Sequence, residues 1–226
     1  MYDGLLPSSD CKGTVRVDRE LPTAARTWGR ILDMSELEAG DLLLFRQVEA
    51  SDAITKAIVG AQLRGGFAQR HAQWTHAAVY LGDDEHLCES NFKTPGHRNG
   101  VVIRSAHEYC DSTYAIRARR PKNMNEKQRL RIAIGALTNL GRRYSFSELI
   151  EFWGAAVSGK GFWETMKRGP RIKVRALVCS TLYQDAYNFA FRGQSIRMGS
   201  LCTPAHLSAS DDFEAEEPPL GWLAIS

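Results

Sequence analysis

Cys179 is the residue of this sequence best placed to act as a nucleophile. It stands in Val178-Cys179-Ser180-Thr181, where a helical pattern begins that runs to Phe191 with Leu182, Ala186 and Ala190 on one face. A thiol in the first turn of a helix faces backbone N–H groups without intrahelical partners and the positive end of the helix dipole. Both favour the thiolate, the nucleophilic form. Burial beside an apolar helix face is the plain alternative, since free cysteine is among the most buried residue types. A nucleophilic thiol needs a base, and the base needs a group that orients it. His76 lies in the strand pattern Trp74–Leu81, and Glu89 lies in the next strand pattern, across the turn Gly82-Asp83-Asp84. If the two strands pair antiparallel, the Glu89 carboxylate reaches the His76 imidazole, fixes its tautomer and stabilises the imidazolium. A histidine satisfied locally on a sheet and a surface glutamate are the competing readings. His71 and His86 lie in or near polar turns and are weaker candidates.

These side chains depend on the elements that carry them. Residues 1–35 are polar and broken by Pro7 and Pro22, which predicts an arm with one short helix over Thr23–Leu32. Leu42-Leu43-Leu44-Phe45 after Gly40-Asp41 reads as a buried strand. Residues 52–63 suit a helix and 64–73 a polar loop. Leu87–Ser90, Val101–Arg104 and Tyr114–Arg119 give further strands. Helical spacing then covers Asn125–Leu140, Phe146–Val157 and Val178–Phe191, with a basic loop over Gly159–Arg175 and a tail at 216–226. Strands first and helices later predict one α+β domain.

Composition narrows the function classes. The chain has 226 residues, 43% hydrophobic and 24% charged, with a net charge of +3. Those values argue against disorder and give no overall reason to expect nucleic acid. The basic cluster Arg117, Arg119, Arg120, Lys122, Lys127, Arg129 and Arg131 lacks interleaved aromatics and reads as a solvated face. No apolar run approaches the roughly 20 residues of a membrane helix. Met1–Lys12 lacks the pattern of a signal peptide, so a cytoplasmic location is expected, with export by a dedicated machine left open. The five cysteines form no CxxC pair and the six histidines no HExxH motif, so no metal and no cofactor is expected. Aromatic and basic residues mix in Phe146–Arg175, which reads as a lid or solvated loop, with peripheral membrane contact as the alternative.

Taken in order, short motifs resemble the permuted NlpC-type papain-fold cysteine hydrolases, with the bacterial YiiX-like group as the nearest comparison. They are Gly40-Asp41-Leu42-Leu43-Leu44-Phe45-Arg46, Thr75-His76-Ala77-Ala78-Val79-Tyr80-Leu81-Gly82 and Leu87-Cys88-Glu89-Ser90. Gly141-Arg142-Arg143-Tyr144-Ser145-Phe146 follows, with Ser145 where the family usually has Asp, then Val178-Cys179-Ser180-Thr181-Leu182-Tyr183 and Thr203-Pro204-Ala205-His206-Leu207. The resemblance implies a circularly permuted papain-like domain over 36–215, a small antiparallel sheet packed against helices with the nucleophile at a helix N-terminus. It implies Cys179 as nucleophile, His76 as base and Glu89 as third member of the triad, with Tyr144, Ser180 and Trp74 binding substrate. The implied partner is a peptide or acyl-containing substrate, cleaved at an amide or peptide bond through a thioester. A lipid-directed acyl hydrolase or acyltransferase, as in a secreted toxin or effector, uses the same chemistry. A catalytically inactive binding module on the same fold is the third reading.

Overall fold

The computed structural model describes residues 4–49, 52–91, 100–143, 178–191 and 202–226. In chain order the elements are β1 (Cys11–Val15), α1 (Thr23–Trp28), β2 (Arg30–Asp33), β3 (Leu42–Gln47), α2 (Ala53–Arg64), α3 (Gln69–Ala72), β4 (His76–Tyr80) and β5 (His86–Asn91). There follow β6 (Gly100–Ser105), a 3-10 turn (Ala106–Tyr109), β7 (Tyr114–Arg119), α4 (Glu126–Leu137), α5 (Cys179–Ala190), α6 (Pro204–Ala209) and β8 (Gly221–Ile225). The architecture is α+β.

Four successive apolar residues, Leu42 to Phe45, are all fully buried. A strand can do this only when both faces of its sheet are covered. Here β3 is an inner strand of a five-stranded antiparallel sheet ordered β6-β5-β4-β3-β7. Leu42, Leu44, Ala77, Val79 and Cys88 face a core shared with Ile132 and Ala136 of α4 and Leu182, Tyr183 and Ala186 of α5. Leu43, Phe45, Ala78, Tyr80 and Leu87 face the opposite core, shared with Ala25, Ile31, Leu32 and Trp222. The helices pack closely because Gly135 lacks a side chain. A Cβ there would lie 3.0 Å from the Ala186 carbonyl oxygen and from Phe189 Cβ. The Tyr183 hydroxyl donates to the Gly40 carbonyl at 2.9 Å and ties α5 to the turn that opens β3.

That turn is fixed by charge. Asp41 is fully buried and accepts from Arg120 Nε at 3.1 Å, Arg120 Nη2 at 2.8 Å and the Glu38 N–H at 2.9 Å. Arg120 and Arg129 both pair with Glu38. The expectation of a solvated basic face over 117–131 holds for the exposed Lys122 and Lys127 and is corrected for most of its arginines. Arg117, Arg120 and Arg129 are in ion pairs, and Arg119 is 7% exposed. Their partners lie in segments distant in sequence, so local charge density did not reveal them.

The ends of the sequence also depart from expectation. β1, β8 and β2 form a second sheet in that order, with β8 parallel to β1 and antiparallel to β2. Residues expected as an arm and a tail thus share one sheet. Trp222 is its buried anchor, with its ring edge-on to Trp28 at 4.7 Å and its indole N–H donating to the Leu6 carbonyl at 2.7 Å. The helix expected over Thr23–Leu32 stops at Trp28, because Gly29 turns left-handed at φ 75° and Arg30–Asp33 joins β8. The helix expected over Asn125–Leu140 runs Glu126–Leu137, opened by reciprocal bonds between Asn125 and Gln128. The expected helix Phe146–Val157 and loop Gly159–Arg175 lie outside the described residues. Among the described residues, no helix is long and apolar enough to cross a membrane.

Trp222→Ala should cost about 3–5 kcal/mol, the usual range for removing a buried tryptophan. Equilibrium urea unfolding measures it, and a loss below about 1 kcal/mol would show that the second sheet is dispensable.

Candidate functional site

α5 begins at Cys179. Its N-cap, Val178, is extended at φ −84° and ψ 163°, and no side chain caps the first turn. The Val178 N–H donates to Thr181 Oγ1 at 3.0 Å, and the first intrahelical bond runs from the Leu182 N–H to the Val178 carbonyl at 3.0 Å. The early N–H groups of the helix therefore have no partner within it. Cys179 is 8% exposed. Ser180 Oγ donates to the Cys202 carbonyl at 2.5 Å, fastening this turn to the segment that leads into α6.

His76 is the first residue of β4, paired with Phe45 of β3. The register Ala78↔Glu89 between β4 and β5 puts Glu89 diagonally across from His76 on one face. His76 Nε2 lies 2.7 Å from Glu89 Oε2. Glu89 is fully buried, and its remaining lone pairs are filled. Tyr109 donates its hydroxyl to Oε2 at 2.6 Å, Asn91 Nδ2 donates to Oε1 at 3.1 Å and Arg104 Nη1 to Oε1 at 3.3 Å. Arg104 is held in turn by Glu108, with Nε 3.0 Å from Oε2. The Tyr109 ring stacks on Phe45 at 4.0 Å, and Phe45 lies 5.9 Å from the His76 ring.

The electrostatics follow from this arrangement. Burial pushes Glu89 up, but the His76 charge, hydrogen bonds from His76 and Tyr109, and the Arg104 charge outweigh it and hold Glu89 at about 2. Burial pushes His76 down, but the charges of Glu89 and Cys179 and hydrogen bonds to both outweigh it and raise His76 to about 10. The Cys179 sulfur is thus near enough for its charge to act on the imidazole. Nε2 faces the carboxylate, which leaves Nδ1 as the second nitrogen of the ring. Among the other thiols, burial pushes Cys88 and Cys110 up to about 12 and Cys202 well above its ordinary value. A thiol, an imidazole and a buried carboxylate in series can move a proton off sulfur and store it as imidazolium.

His76 and Glu89, named from the sequence, come together, and the Cys179 charge acts on the same ring. The other expected contacts do not join them in the same way. The Ser180 hydroxyl is committed to a backbone carbonyl. Trp74 is 1% exposed, with its indole N–H on the Arg70 carbonyl at 3.1 Å and the Arg46 guanidinium 5.7 Å over its ring. Tyr144 lies outside the described residues. His71 bonds Ser208 and His86 bonds Asp83, and neither bonds Glu89. Sequence reasoning missed Tyr109, Arg104 and Asn91, whose one available signal was the clustering of polar residues at the ends of β5 and β6. Among the described residues, no group of three or more His, Cys, Asp or Glu side chains is arranged to hold a metal ion.

No family model matches this chain, and no curated protein matches it. Among solved structures it is similar to the metalloprotein YiiX of Escherichia coli O157:H7 (DUF1105), at 13% identity over 83% of this chain and 88% of that one, with a TM-score of 0.40. YiiX is a distant structural neighbour.

The pair sets a pH window. His76 is raised from 6.5 to about 10, so its contribution to stability is full below pH 6.5 and is lost as pH rises toward 10. Glu89 is lowered from 4.5 to about 2, so its contribution is full above pH 4.5 and is lost as pH falls toward 2. His107 and His206 are lowered from 6.5 to about 4 by burial, with the Arg19 charge adding at His107, and they remove stability as pH falls between those values. Stability should therefore peak near pH 6.5. Glu89→Gln should cost about 3–5 kcal/mol there, as breaking a buried ion pair does, and should flatten the alkaline loss. Urea unfolding from pH 4 to 10 tests this, and an unchanged alkaline slope in the variant would contradict it.

Proposed function

We propose that this chain is a cysteine-dependent hydrolase that cleaves an amide or peptide bond through a thioester, on a permuted papain-like domain. The observation that carries the reading is the 2.7 Å contact between His76 Nε2 and a fully buried Glu89, with Cys179 beside the same imidazole. The motif order of the sequence supports it independently.

In this mechanism His76 enters as the imidazolium that already holds the Cys179 proton, and the sulfur attacks the carbonyl carbon of the scissile bond. The oxyanion is stabilised by N–H groups of the uncapped first turn of α5, at Cys179 and Ser180. His76 gives its proton to the leaving amine as the C–N bond breaks, leaving a thioester. It then takes a proton from water, whose oxygen attacks the thioester carbon and expels the Cys179 thiolate. Glu89 stays ionised throughout and orients the ring. Tyr109, Asn91 and Arg104 hold Glu89 in place, so they are positioning residues. An ester or lipid acyl group would pass through the same thioester.

The test is labelling with peptide-type and lipid-type electrophilic acyl probes, followed by intact mass. Cys179 should react at least about 100-fold faster than the partly exposed Cys11, with peptide-type probes preferred. His76→Ala should remove that advantage, and Cys179→Ala should leave only labelling at Cys11. Preference for lipid-type probes would move the assignment to acyl-lipid chemistry. Labelling of Cys179 no faster than Cys11, and indifferent to His76→Ala, would sink the enzyme.

A further inference from the structure

A second polar cluster lies where β7 meets α3 and α6, and the proposed reaction does not use it. Arg117 and Arg119 are two residues apart on β7 and so share a face. With Arg70, His71, Ser208 and Glu217 they line a pocket of about 630 Å³.

The hydrogen bonds in this pocket are incomplete. Arg117 is matched by Glu217, with Nε 2.8 Å from Oε1. Arg119 has no carboxylate partner among the described residues. Its Nη1 donates to the carbonyls of Leu207 at 3.2 Å, Ser208 at 2.7 Å and Ser210 at 3.1 Å, at the C-terminal end of α6. Its guanidinium lies 4.8 Å from the centre of the Phe213 ring. The residue is 7% exposed, and its Nε–H is buried without a partner. Such an orphan donor is unfavourable until an acceptor reaches it. Burial and the Arg117 charge pull the Arg119 pKa down to about 10, as expected of an uncompensated cation.

Ser208 adds a second donor. Arg70 Nε donates to His71 Nε2 at 3.0 Å, which makes Nδ1 the protonated nitrogen of a neutral ring. His71 Nδ1 then donates to Ser208 Oγ at 2.9 Å, and Arg117 Nη1 donates to the same oxygen at 2.5 Å. Both lone pairs of Oγ are taken, and its own proton is left to give. One acceptor is orphaned as well, Glu217 Oε2.

We propose that this pocket binds the phosphoryl group of a small phosphorylated molecule. Phosphoryl oxygens take the Arg119 Nε–H, the Ser208 O–H and the exposed Arg70 guanidinium. A monoanionic phosphoryl group also carries a P–OH, which satisfies Glu217 Oε2. A carboxylate supplies acceptors but no donor, and its two oxygens serve fewer of these directions. The pocket is larger than a lone phosphate needs, which leaves room for the rest of the molecule.

His71 reports on the site without any assay of activity. Burial and the charges of Arg117, Arg70 and Arg119 hold its pKa below the ordinary value, so an anion bound among them should raise it. The His71 ring signals are followed by NMR on the full chain at constant ionic strength, with inorganic phosphate, acetate or chloride titrated in. Phosphate should give a saturable shift and raise the His71 pKa, whereas acetate and chloride should do neither. Arg119→Lys keeps the charge but loses Nε, and should weaken phosphate at least about tenfold. Arg70→Ala, at an exposed position, should weaken it about fivefold and decides the matter if the first variant misfolds. No saturable shift, an equal response to acetate, or phosphate binding unchanged by Arg70→Ala would overturn the proposal. Cys179→Ala should leave phosphate binding intact, so this result and the outcome of the thiol labelling are independent.

Discussion

The interaction on which the candidate site depends is the solvation of one buried charge. Glu89 has no exposure to water, and an ionised carboxylate in such a place is unfavourable by several kcal/mol unless its oxygens are filled. Each nearby feature supplies a donor to it. The register of β4 against β5 brings His76 onto the diagonal, and the bend of the 3-10 turn after β6 brings Tyr109 back over the sheet. Arg104 and Asn91 come from strand positions close by. Because nearly all of these groups stand on strands, their geometry is set by backbone pairing rather than by loops.

The two faces of the sheet set the thiol apart from most of this cluster. Glu89 and Tyr109 belong to the face that looks toward β1, β2 and β8, whereas Cys179 belongs to the helical layer on the other side. His76 is the first residue of its strand, at the rim of the sheet. A histidine deeper in β4 would be committed to one layer. α5, whose first residue is Cys179, is fastened from two directions, through Tyr183 to Gly40 and through Ser180 to Cys202.

Much of this was legible in the amino acids. Leu42-Leu43-Leu44-Phe45 announced a strand covered on both faces, because four consecutive apolar residues fit no half-exposed strand. The contact between His76 and Glu89 followed from a short turn and the two-residue period of strands. Tyr109 was illegible because its role depends on the 3-10 turn after β6, and periodicity carries no information about such a bend. The second sheet was hidden for a different reason. Cys11–Val15 is largely polar and has no alternation, and its partner lies near the opposite end of the sequence. The arginines of β7 and the adjacent Arg120 misled for the same reason, since Glu217, Asp41 and the α6 carbonyls approach them only after folding.

The strand order β1-β8-β2 has a consequence for biosynthesis. β8 lies between two strands that a ribosome would deliver much earlier, and β1 and β2 do not pair with each other. Until Gly221–Ile225 arrives, both early strands have an open edge, and the hydrophobic layer that Trp222 fills is incomplete. Nascent chains in this state present unpaired strand edges of the kind that recruits chaperones or other chains. The last strand thus acts as a keystone, and the layer beneath the Glu89 face closes only when it is inserted.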